Sequence, residues 1–118
     1  MKVHGREITF LRTVWANCEF TKLADGDIKN IEDKLGSDYI TSQKTAAEMM
    51  SILSMASESS KRFEDPDYKE RPLTVEEAMS LEGEIFSKLF QEALAAWTNE
   101  KPTVETTPQK GVKKTGKR

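Results

Sequence analysis

The residues of this chain whose types could support chemistry are few. His4 is the only histidine and Cys18 the only cysteine, so a nucleophile–base couple would have to be drawn from these two. The plainer reading makes His4 a solvated turn residue and Cys18 a small core hydrophobe. One His and one Cys leave no Cys–His metal spacing and no CxxC. They also exclude an internal disulfide framework, which fits a reducing cytoplasm. With 20 Asp/Glu some carboxylate pairs are inevitable, such as Glu64/Asp65/Asp67 and Glu76/Glu77. Without a convergent partner these read as solvated faces and a helix N-terminus. No GxGxxG or GxxxxGK(S/T) stretch is present to cradle a phosphate. The expectation is a protein that is not an enzyme and needs no cofactor.

What remains is binding. In "MSLEGEIFSKLF", residues 79–90, a helical period puts Met79, Phe86, Leu89, Ala93 and Trp97 on one apolar stripe. Glu82 falls in the middle of that stripe. Burying an unpaired carboxylate is costly, so Glu82 is expected at a boundary between core and contact surface. Methionines 49, 50 and 55 have two readings, core filler or an adaptable surface for apolar helices. Met55 points away from the stripe of Met49 and Met50 and is the one expected to be exposed. The candidate partner-binding residues are therefore Glu82, Met55, Met49 and Phe86.

These residues need elements to hold them. "KVHGREITFLR" reads as a β-hairpin with His4-Gly5 in the two-residue turn, where both residues need positive φ. "TVWANCEFTKLADG" is a short helix with Trp15, Cys18 and Lys22 on one side. "DIKNIEDKLG" is a helix capped by Asp27 and stopped by Gly36. "SDYITSQKTAAEMMSILSMASESSKRF" is a long helix capped by Asp38. Its serine-rich rear half has low intrinsic propensity and must be held by tertiary packing. Pro66 and Pro72 make an extended connector. Thr74 and Glu77 are spaced as a capping box opening a last helix that runs to about Trp97. The expected core is Ile8, Phe10, Trp15, Ile31, Leu35, Met50, Leu53, Phe86, Leu89 and Trp97.

The 118 residues suit one domain, 36% hydrophobic and 32% charged. No run of 18 apolar residues is present, and "MKVHGREITF" lacks the apolar stretch of a signal peptide. Residues 1–100 hold 12 Lys/Arg and 19 Asp/Glu, a net of −7. Residues 101–118 hold six Lys/Arg and one Glu, a net of +5. That basic end could track phosphates, but it has no aromatic for base stacking; a solubilising, disordered tail is the plainer reading. The expected fold is mainly α, an N-terminal β-hairpin on a bundle of about four helices (residues 1–99), with a disordered basic tail at 100–118.

The order of these parts resembles a known family. The portions that carry the resemblance are "GREITFLRTVWANCE" and "FEDPDYKERPLTVEEAMSLEGEIF…AWTNEKPTVE". They are similar to the small tail assembly chaperones encoded by long-tailed bacteriophages and by prophages of Gram-positive bacteria, over residues 1 to about 104. The resemblance implies a non-enzymatic role in the bacterial cytoplasm: binding the long, apolar, helical tape measure protein and helping to recruit tail tube subunits. It carries over no catalytic or binding residue. Two other readings stay open, a small nucleic-acid-associated regulator using the basic tail and a structural phage connector or completion protein. A homo-oligomer is compatible with each, and a membrane partner with none.

Overall fold

The structure, a computed structural model, describes residues 1–98; the expected tail lies outside the described residues. A two-stranded antiparallel hairpin, β1 (Lys2–Val3) and β2 (Arg6–Glu7), opens the chain. Five helices follow among the described residues: α1 (Val14–Leu23), α2 (Asn30–Leu35), α3 (Tyr39–Glu64), α4 (Val75–Met79) and α5 (Gly83–Thr98). The protein is thus mainly helical with an N-terminal hairpin, as expected. No described helix is long and apolar enough to cross a membrane.

The hairpin turn is set by its two residues, His4 at φ 51° and Gly5 at φ 81°, the left-handed pair of a type I′ turn. Its strands are shorter than expected: Ile8 N–H still donates to the Met1 carbonyl at 2.9 Å, and beyond it the chain runs along α3. There Leu11 N–H donates to the Leu53 carbonyl at 3.1 Å. Asp38 caps α3 as predicted, accepting from Thr41 N–H at 2.9 Å. Asp27 does not cap α2. It accepts from Lys29 N–H in a local turn, and the helix starts later, at Asn30.

Helix α3 is the axis of the fold, with α1, α2, α4 and α5 all packed against it. Its 26 residues run about 39 Å. Met49, Met50 and Leu53 are fully buried on it, joined by Ile8, Phe20, Ile31, Leu73 and Leu89 from the surrounding elements. Small side chains let the connector and the segment after the hairpin lie close to its rear half. Ser54 Oγ accepts from Leu73 N–H at 2.8 Å, and Ser57 Oγ bonds the Thr9 hydroxyl at 2.7 Å. The tertiary packing that the serine-rich stretch requires is therefore made of hydrogen bonds from those serines.

Two expectations about faces are corrected. In α1 the inward residues are Ala16 and Phe20, not Trp15 and Cys18; Trp15 is 46% exposed and Cys18 is exposed. Phe20 takes the core position because Trp97 of α5 meets it edge to face, ring centroids 4.4 Å apart. The single last helix is two helices. Ser80 ends α4, donating its N–H to the carbonyls of Glu76 and Glu77, and α5 starts at Gly83. Serine and glycine, both poor helix formers, stand on either side of the break.

Candidate functional site

The break between α4 and α5 explains Glu82. The residue is not inside a helix, so the stripe that seemed to bury it does not pass through it. It sits just before Gly83, exposed, with its carbonyl accepting from Phe86 N–H at 2.9 Å. The same break opens a groove of about 450 Å³ between the ends of α2 and α4 and the starts of α3 and α5. Leu35, Tyr39, Met79, Leu81, Phe86 and Phe90 supply its apolar lining. Tyr39 is 79% exposed and Met79 50%, so two large side chains stand in water at its rim. Ile40, next to Tyr39, and Ile85, next to Phe86, are exposed as well. The polar members Ser42, Gln43 and Ser87 are few, and Ser42 is committed to the fold, donating to the Leu35 carbonyl at 2.7 Å.

The four predicted residues separate. Phe86 lines the groove, half-buried, and Glu82 stands at its lip between Leu81 and Gly83. Met49 is fully buried in the core and closed to any partner, which corrects its place among the binding residues. Met55 is half-buried, more open than Met49 or Met50, yet it does not line the groove. It lies nine residues beyond Ala46, which does line it, and nine residues at 100° each is half a turn away. Tyr39, Met79, Leu81 and Phe90 were missed as site residues. Met79 was legible as a stripe member; Tyr39 opens α3 and Met79 closes α4, and both are largely exposed there.

The titratable clusters elsewhere hold the fold. The Glu77 carboxylate does not reach back to complete the capping box, although Thr74 Oγ1 accepts from Glu77 N–H at 3.0 Å. It instead receives Arg6 through two nitrogens, at 2.6 and 2.8 Å, and meets His4 Nδ1 at 2.6 Å. Hydrogen bonding from Arg6 is the main cause that lowers its pKa to about 2; burial opposes the shift, and His4 adds to it. Arg6 also donates to the carbonyls of Arg71 and Pro72, so hairpin, connector and α4 are tied at one point. The buried Glu58 anchors the other end of the connector. Burial pushes its pKa up, but Arg71 N–H, the Tyr68 hydroxyl and Lys61 outweigh that and hold it below the usual carboxylate value.

His4 is thus engaged by Glu77, and Cys18 is a surface residue of α1 rather than the core hydrophobe expected. No group of three His, Cys, Asp or Glu among the described residues could hold a metal ion. What the described residues offer is an apolar groove with a carboxylate at its lip. No family model, curated protein or solved structure matches the chain.

Proposed function

We propose that the protein is a non-enzymatic assembly chaperone that holds an apolar helical segment of a partner in the groove between Tyr39, Met79 and Phe86. The observation that supports this is the groove itself, about 450 Å³, lined by more apolar than polar side chains and rimmed by exposed Tyr39 and Met79. Its shape suits the apolar face of a partner helix with anchors at i, i+3 and i+7. Glu82 at the lip stays in water and gives the groove an acidic edge, compatible with a partner helix whose flank carries Lys or Arg. The family resemblance adds the client, the tape measure protein of a phage tail, with tail tube subunits recruited afterwards in the host cytoplasm. Residues 1–98 carry 12 Lys/Arg and 18 Asp/Glu, a net of −6, which argues against a nucleic-acid surface on this part of the chain.

The test is co-expression of the full chain with a tape measure protein, scoring how much of that partner stays in solution. Tyr39→Asp and Met79→Asp change exposed side chains and leave the core intact; both are expected to lose solubilisation. Met55→Asp, off the groove, is expected to retain it. Folded Tyr39→Asp and Met79→Asp variants that still solubilise the partner would overturn the groove as the site. Wild-type protein that never binds the partner would overturn the chaperone reading.

A further inference from the structure

A second apolar groove, also about 450 Å³, lies between the start of α1 and the last turns of α3. Trp15 and Phe63 form its walls and the buried Ala56 its floor, with Thr13, Ser59 and Ser60 along the edges. Phe63 is 78% exposed and Trp15 46%, and their neighbours Leu11 and Val14 are exposed too. The Arg62 guanidinium lies 4.6 Å from the Phe63 ring centre, yet Phe63 and Trp15 stay largely in water among the described residues, which forgoes apolar burial.

Two observations point to what covers them. The first is where the described chain ends. Trp97 lies under the Arg12 guanidinium, 3.8 Å from its ring centre, and Arg12 Nη1 donates to the Trp97 carbonyl at 2.6 Å. Arg12 adjoins Thr13 of the groove, so the chain leaves α5 at Thr98 beside this groove. The Tyr39–Phe86 groove lies about 16 Å back along α5, since Phe86 and Trp97 are eleven residues apart. Residues 99–108, if extended, reach about 33 Å, enough to run the length of the groove.

The second is charge. Glu64, Asp65 and Asp67 follow Phe63, are exposed, and form no ion pair among the described residues. Of the nearby cations, Lys61 and Arg62 pair with Glu58 and Glu70, and Lys69 is exposed two residues beyond Asp67. Beyond Thr98 the chain reads "NEKPTVETTPQKGVKKTGKR", basic overall; its stretch 101–110 holds Lys101 and Lys110 against Glu105, a net of +1. Within it, Lys101-Pro102-Thr103-Val104 puts two apolar side chains next to a cation, and Pro108 stands two residues before Lys110. Proline favours the extended backbone that aromatic-walled grooves accept.

We propose that the segment Lys101–Lys110 of the same chain lies in the Trp15–Phe63 groove, with Pro102 and Val104 against the rings and its lysines toward the acidic run after Phe63. Two small apolar anchors give little intrinsic affinity. Tethering to α5 supplies an effective concentration on the order of millimolar, which offsets that weakness. The Trp15–Phe63 groove is then filled by this segment, independently of the Tyr39–Phe86 groove.

Cys18 makes the test direct. It is the only cysteine, exposed, and three residues from Trp15 on the same helix. A nitroxide on Cys18 of the full-length, isotope-labelled protein should broaden the amide signals of residues 101–110 more than those of 111–118. The broadening should fall about threefold in 1 M salt, where the screening length is about 3 Å. It should fall similarly in the Trp15→Ser, Phe63→Ser double variant, whose changes are at exposed positions. A second sample mixes spin-labelled, isotope-free chains with isotope-labelled, nitroxide-free chains and reports contacts between molecules. Broadening that is unchanged in the folded double variant overturns the proposal. So does broadening seen equally in the mixed sample, which would mean that a second copy fills the groove.

Discussion

Replacing Glu77 by Gln removes the carboxylate that ties the hairpin to α4. In the folded protein its pKa is lowered from 4.5 to about 2, chiefly by hydrogen bonding from Arg6. A shift of about 2.5 units corresponds to about 3.4 kcal/mol of preference for the ionised form. The Glu77 side chain is 18% exposed and that of Arg6 15%, so solvent screens part of this. About 2–3 kcal/mol is the expected loss at pH 7, because Arg6 keeps its charge and its bonds to the Arg71 and Pro72 carbonyls without a counter-ion. The sign follows from the lowered pKa. The contribution is fully present above pH 4.5, the value in the unfolded chain, and drains away as pH falls toward about 2. Urea unfolding of wild type and Glu77→Gln, followed by circular dichroism at pH 7, 4 and 3, reads this directly. The stability gap between the two should shrink by more than half between pH 7 and pH 3. A gap independent of pH would mean that Glu77 acts through packing rather than charge. A variant as stable as wild type at pH 7 would remove the ion pair from any structural role.

Phe20→Ala should cost about 3–5 kcal/mol in the same urea assay, since Phe20 is fully buried against Trp97, whereas Trp15→Ser, at a half-exposed position, should cost about 1–2 kcal/mol. The reverse order would show that α1 packs through its other face. Gly5→Ala should cost about 1 kcal/mol without any steric clash, because a Cβ there meets nothing within 4 Å and only the φ of +81° opposes it. An unchanged midpoint would mean the hairpin turn is not formed in solution.

Local signals were legible in the sequence. His4-Gly5 specifies a turn that needs two positive φ angles, and Asp38 and Thr74 cap α3 and α4 with oxygens that accept N–H groups three residues on. The methionine-bearing face of α3 follows from helical spacing alone. Each of these depends on neighbours within a few residues. Three features depend on residues far away, and periodicity could not settle them. In α1, Trp15, Cys18 and Lys22 share one face, and Ala16, Phe20 and Leu23 another at equally good helical spacing. The choice falls to Phe20 because α5 brings Trp97 to it. Glu77 sits where a capping box would use it, but Arg6, 71 positions earlier, offers a charge-assisted bidentate contact that a backbone N–H cannot match. Glu82 reads as a fault in an apolar stripe only if the helix is continuous. The turn at Ser80–Glu82 removes the fault, lets Leu81 pack against the core and leaves the carboxylate in water. The groove exists because α4 and α5 separate there over the start of α3, and that arrangement is a property of packed helices that no single stretch of sequence contains.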